Sequence, residues 1–158
     1  MIAAIVYGDG ETTEYDDLDA ARDAAGTTWV HVADATDEEF ERIASTFDIH
    51  ALAVEDVGNQ VRAKSEEFPE HTFVLLKTVA LARGDTTFEE ELVTHPVGIF
   101  IGDDWVVSIS TGPAAAIDRV RRAVVSGDER LLHRGPDFTA YRIVDVIVDE
   151  YFDVIDRL

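Results

Sequence analysis

Phe73-Val74-Leu75-Leu76 narrows the fold more than any other stretch. It lies in a run, His71–Leu81, whose residues favour strand. Successive side chains of a strand point to opposite faces. Consecutive large apolar residues therefore need cover on both sides, as in an inner strand with helices packed above and below.

The sequence around it supplies the other layers. Met1–Tyr7 is apolar and β-prone, and Gly8-Asp9-Gly10 is a turn. Asp16 or Asp17 caps a helix to about Ala25, with Leu18, Ala21 and Ala25 on one face; Gly26 ends it. Thr28–Val32 alternates as a strand, with Trp29 and His31 on one face and Val30 and Val32 on the other. Thr36 and Glu39 form a capping box for a helix over Asp34–Phe47, whose Phe40, Ile43, Ala44 and Phe47 repeat at helical spacing. His50–Val57 reads as a further short helix closed by Gly58-Asn59.

From Val61 the period changes to two. Ala63–Phe68 and His71–Leu81 pair across Pro69-Glu70. Phe88–Val93, Val97–Ile101 and Trp105–Ser110 are three more strands, and Gly102-Asp103-Asp104 turns the last pair. Thr111-Gly112-Pro113 opens a helix to about Val125, which Ser126-Gly127 ends. Strands and helices alternate without a strict βαβ repeat, which indicates a mixed sheet with helices on both faces.

Pro136–Leu158 forms the final helix. Phe138, Tyr141, Val144, Val148, Tyr151, Phe152, Ile155 and Leu158 make one apolar stripe, and Ile143, Ile147 and Val154 a second. Asp145, Asp149, Asp153 and Asp156 form an acidic stripe between them. A helix apolar on two faces is buried on two sides, by its own domain and by something else. It reaches Leu158 without a C-cap, so the natural helix is expected to continue.

Charge excludes one class of partner. Asp and Glu total 33 against 13 Lys and Arg, a formal net charge of −20. Nucleic-acid binding needs a basic footprint, so it is not expected. Such a surface repels itself in dilute buffer and suits concentrated salt, where the Debye length falls to about 3 Å; it reads first as a halophile's solvent adaptation. With no cysteine, disulfides and thiolate metal sites are excluded. No apolar run approaches the roughly 20 residues of a membrane span, so the chain as it stands is expected to be soluble.

Catalytic signatures are missing. There is no Gly-x-Ser-x-Gly elbow, P-loop or Gly-x-Gly-x-x-Gly. His31, His50, His71, His95 and His133 are scattered, with no His-x-x-x-His pair, and His31 and His71 read as satisfied structural histidines. What remains is carboxylate, and oxygen-only ligation suits hard cations such as Mg2+ or Ca2+. Glu55-Asp56 lies where the apolar face of Leu52, Val54 and Val57 ends. It is either a solvated helix end or half of a cation site assembled from separate elements or chains.

The motifs, taken together, resemble the cytoplasmic domain of the CorA magnesium transporters. They are Trp29-Val30-His31-Val32; Phe47-Asp48-Ile49-His50-Ala51-Leu52-Ala53-Val54-Glu55-Asp56-Val57; Val61-Arg62-Ala63-Lys64; His71-Thr72-Phe73-Val74-Leu75-Leu76; and Tyr141–Phe152 around Val144-Asp145 and Val148-Asp149-Glu150-Tyr151-Phe152. Their order and spacing hold across nearly the whole chain. Two departures concern turns: Ala51 stands where the family often has Pro, and Ala63 interrupts its Arg-Pro-Lys.

The resemblance implies a three-layer α/β/α sandwich on a mixed parallel/antiparallel sheet, ending in the start of a long stalk helix. Residues 1–135 would be the α/β/α domain, and 136–158 the helix leading to an absent stalk and membrane region. It implies a homopentameric ion channel and not an enzyme, with the full-length protein in the plasma membrane and this domain on the cytoplasmic side. Mg2+ would be both the regulatory and the transported ion, with Co2+ and Ni2+ as alternatives, and no organic cofactor. By motif position, Asp56 would serve one divalent site between subunits, and Glu55 with Asp145 a second; Asp149 and Glu150 are weaker candidates. Without the stalk the chain is expected to associate weakly or remain monomeric and to bind Mg2+ poorly. A zinc or broader divalent-cation transporter of the same superfamily is the alternative; a stand-alone acidic binding domain or hydrolase is the reading from another class.

Overall fold

The computed structural model describes residues 2–50, 57, 62–83, 90–112 and 114–157, with residues 82, 83, 90 and 91 described by backbone alone. The chain runs β1 (Ile2–Gly8), β2 (Glu11–Tyr15), α1 (Leu18–Asp23), β3 (Thr27–Ala33), α2 (Asp37–Phe47), β4 (Lys64–Glu67), β5 (Thr72–Arg83), β6 (Glu90–Ile101), β7 (Trp105–Ser110), α3 (Ala115–Val125), α4 (Glu129–Leu132) and α5 (Pro136–Arg157). The strands form one mixed sheet in the order β2-β1-β3-β7-β6-β5-β4. β3 and β7 run parallel, with His31 opposite Ser108; the other neighbouring pairs of these strands are antiparallel.

Period-two alternation divides the core between the two faces of the sheet. One face carries Ile5, Tyr7, Trp29, Leu76, Val97, Ile99 and Val106 against α3, α4 and α5. The other carries Val6, Val30, Val32, Phe73, Leu75, Phe100, Val107 and Ile109 against α1 and α2. This is the expected α/β/α sandwich. Phe73 and Leu75 point one way and Leu76 the other, so β5 is covered on both sides as its sequence requires. It lies one strand in from the sheet edge, flanked by β4 and β6.

Local signals set most element ends. Thr36 Oγ1 accepts from the Glu39 amide at 3.2 Å, and Glu39 Oε1 accepts from the Thr36 amide at 3.0 Å, so the capping box forms. Asp17 caps α1, which stops at Asp23, two residues short of Ala25. Gly26 then comes so close to β1 that a Cβ there would lie 2.7 Å from the Tyr7 carbonyl oxygen. α3 begins at Ala115, later than Thr111-Gly112-Pro113 suggests, and its N-cap Ala114 makes no side-chain bond. The expected helix over His50–Val57 falls mainly outside the described residues; Val57 is helical and buried.

Three elements depart from expectation. β2 is too polar to show a buried face in the sequence, and forms because β1 has a free edge for it to pair with. The short α4, capped by Asp128, follows Gly127 without an apolar repeat to announce it. The strands expected over Phe88–Val93 and Val97–Ile101 are one strand, β6, paired continuously with β5. Pro96 is tolerated inside it because its nitrogen and carbonyl face the β7 side. There β7 ends at Ser110, and Thr111 N reaches the Pro96 oxygen at 3.4 Å.

Candidate functional site

α5 carries the described candidates. Its inward face buries Thr139, Ala140, Ile143, Val146 and Ile147 against the sheet. Tyr7 and Thr139 hydroxyls bond in that interface, and burial pushes the Tyr7 phenol up to about 12. Farther along, the Tyr151 hydroxyl donates to the Lys77 carbonyl of β5. The outward face leaves Tyr141, Val148, Phe152 and Ile155 exposed, at 58, 37, 61 and 62%. The two-faced pattern of this helix is therefore real: one face is satisfied by the domain and the other has no cover among the described residues.

Among the predicted metal residues, Asp145 and Asp149 lie one turn apart on α5. Asp145 is half-buried and accepts from Arg142 Nη1 at 2.6 Å; Asp149 is exposed. Beside them, Glu150 sits 4.0 Å from Arg119, with its carboxyl raised above the usual range by burial that Arg119 only partly offsets. Glu55 and Asp56 lie outside the described residues. No three His, Asp or Glu side chains among the described residues converge in a way that holds a metal ion. The α5 carboxylates are hard oxygen donors of the kind Mg2+ takes.

Two histidines separate in character. His31 is buried on β3, with Nδ1 3.1 Å from the Ser108 carbonyl and 2.9 Å from Ser108 Oγ. Trp29 Nε1 donates to the same hydroxyl at 3.0 Å. Ser108 is fully buried, so this Ser–His contact is a core bond with no route for substrate. His71 is buried too, yet neither ring nitrogen finds a partner among the described residues, so the expectation of a satisfied histidine is not met there. Burial holds both imidazoles below their usual pKa, most of all through loss of hydration. Nothing local in the sequence marks the difference, because β3 brings His31 to Ser108 only through its pairing with β7.

A concavity of about 710 Å³ lies between β2 and α3. Glu14, Asp118, Arg121 and Arg122 line it and balance in charge. No helix of the described residues is long and apolar enough to cross a membrane.

Comparison with known proteins adds the family. The cobalt/magnesium transport protein CorA of Thermotoga maritima is 23% identical over 150 residues, covering 94% of this chain and 42% of that protein. The chain thus spans under half the length of this relative. The soluble domain of CorA from Methanocaldococcus jannaschii superposes with a TM-score of 0.74 at 22% identity, over 99% of this chain and 59% of that one. The cytoplasmic domain of ZntB from Vibrio parahaemolyticus gives 0.69 at 12% identity, over 98% and 62%. These two likenesses establish a shared fold. The model of the CorA-like Mg2+ transporter protein family matches residues 24–158, and the chain belongs to that family.

Proposed function

We propose that this chain is the cytoplasmic, divalent-cation-sensing part of a CorA-type magnesium channel, and that it works without catalysis. The observation that carries the reading is the family match over residues 24–158, which takes in the sheet from β3 onward and all of α5. Residues 1–135 form the sensing domain, and 136–158 the helix that couples it to a stalk and membrane region. The full-length protein sits in the plasma membrane as a homopentamer, with this part on the cytoplasmic side.

The physical basis is charge. Carboxylates of adjacent subunits repel when no cation lies between them, and the assembly loosens. Mg2+ bridging them offsets the repulsion and favours the closed arrangement, so the ion biases a two-state element and limits its own uptake. Asp56, Glu55, Asp145 and Asp149 are the proposed ligands. Mg2+ dehydrates reluctantly, so one or two carboxylates per subunit acting through water suffice. The outward-facing acidic stripe and exposed apolar residues of α5 support an interface on this helix.

The test is an Mg2+ titration of the full-length channel, reading flux and subunit association, with Asp56→Ala beside wild type. Loss of Mg2+-dependent closure in the variant is expected. Tight Mg2+ binding that survives Asp56→Ala overturns the ligand assignment. A second reading, a zinc or broader divalent-cation transporter, is favoured by the fold shared with the ZntB cytoplasmic domain. Flux measured with Mg2+, Co2+, Ni2+ and Zn2+ separates the two.

A further inference from the structure

The turn between β4 and β5 holds a buried imidazole. His71 is 6% exposed and both its ring nitrogens are without hydrogen-bond partners among the described residues. Its ring stacks on Phe68, with centroids 4.9 Å apart and planes at 20°. Phe68 also stacks on His50, at 5.2 Å and 21°. His50 follows the C-cap of α2, so three stacked rings tie the end of that helix to the tip of the hairpin. Phe100 and Trp105 pack against His71 from the sheet, at 5.9 and 6.0 Å. The turn itself closes with Phe68 N donating to the His71 carbonyl at 2.8 Å.

Space for movement lies on two sides. A groove of about 200 Å³ runs between Asp48-Ile49-His50 and the turn. Another of about 320 Å³ runs between the turn, Gly102-Asp103 and Asp137. The turn residues Phe68 to His71 line both.

We propose that the Phe68-Pro69-Glu70-His71 turn is a proton-operated latch, closed while His71 is neutral and released from His50 into the flanking grooves when His71 takes a proton. A neutral imidazole tolerates an apolar stack, whereas an imidazolium deprived of water and partners does not. The charged groups facing it decide where it goes. His50 opposes a proton on His71, and Asp48 and Glu70 favour one. Asp103 from the β6–β7 turn and Asp137 from the start of α5 line the second groove. Lys64 and Glu66 of β4 are joined to each other at 2.6 Å. Leaving the stack brings the imidazolium closer to these carboxylates and to water.

The experiment uses this chain in EDTA, so that it does not depend on any cation site. The His71 ring is followed by NMR from pH 8 to 4.5, Trp105 by fluorine NMR after 5-fluorotryptophan labelling, and the Phe68 amide by hydrogen exchange. His71 is expected to titrate below its ordinary 6.5, with the Trp105 signal moving at the same midpoint. Between 6.5 and that midpoint the Phe68 amide should lose protection by about 10-fold per pH unit, the slope for one linked proton, and level off below it. His71→Phe keeps the stack without the proton and should stay closed throughout. Three results overturn the proposal: no His71 titration above pH 4.5, titration that leaves Trp105 and the Phe68 amide unmoved, or the same opening in His71→Phe. If that variant does not fold, the wild-type titration decides.

Discussion

Arg142 and Asp145, one turn apart on α5, are joined by a 2.6 Å charge-assisted hydrogen bond, and each side chain keeps about a third of its surface exposed, 33 and 35%. A cation that uses Asp145 must therefore compete with a guanidinium already bonded to it. Half-exposed pairs of this kind contribute about 0.2–1 kcal/mol. Arg142→Gln is expected to tighten divalent binding at Asp145 by up to about 5-fold, the equivalent of 1 kcal/mol. A Mg2+ titration of the full-length protein checks this, and an unchanged affinity removes Asp145 from the ligand set.

The two faces of α5 should respond differently to truncation. Ile143 is fully buried against the sheet, whereas Ile155 is 62% exposed. Ile143→Ala is expected to cost about 2–5 kcal/mol of folding stability. Ile155→Ala should stay within about 0.5 kcal/mol in the isolated chain. Urea midpoints give both numbers. A destabilisation by Ile155→Ala as large as that of Ile143→Ala would mean the outer face is already packed.

Gly26 is a backbone requirement. Its φ is +116°, and an added Cβ would meet the Tyr7 carbonyl oxygen at 2.7 Å. The obstacle is main chain of β1, which cannot step aside as a side chain would. Gly26→Ala is expected to lose about 1–3 kcal/mol in the same denaturation assay.

Acid should weaken the fold through its buried histidines. Burial lowers the pKa of His31 and His71 from 6.5 in the folded state. The unfolded chain then binds more protons than the folded one in the window below 6.5, so stability falls as pH drops through it and is complete above it. Urea midpoints at pH 7.5 and 5.5, at fixed high salt, measure the loss. His71→Phe should remove part of it, and a pH-independent midpoint would contradict the burial of both rings.

Salt should act in the opposite sense to ordinary surface pairing. With a net charge of −20, repulsion among like charges outweighs scattered ion pairs. Raising salt from about 0.1 to 1 M shortens the Debye length from about 10 to 3 Å. The melting temperature is expected to rise in KCl, and a fall would show that the surface ion pairs dominate.

Much of the fold was legible because its signals are local. Thr36 and Glu39 cap α2, the alternation of Trp105–Ser110 gives β7 its bounds, and Phe73–Leu76 demands cover on both faces. The outer face of α5 was legible for the same reason, since helical periodicity shows a stripe whether or not anything covers it. The carboxylates of the candidate site could be placed by motif order but not assembled. Ligands meeting from separate elements or chains leave no spacing in one sequence.

The sequence by itself determined most of the elements, the two-sided core and the family resemblance, through periodicity, caps and motif order. Only the tertiary structure decided what pairs with what. β2 is a strand because β1 offers it an edge, and Pro96 lies inside β6 because β7 ends before needing its amide. His31 is satisfied and His71 is not because Ser108 reaches one ring while Phe68, Phe100 and Trp105 enclose the other. Each outcome depends on a partner distant in sequence, and local propensity carries no information about such partners.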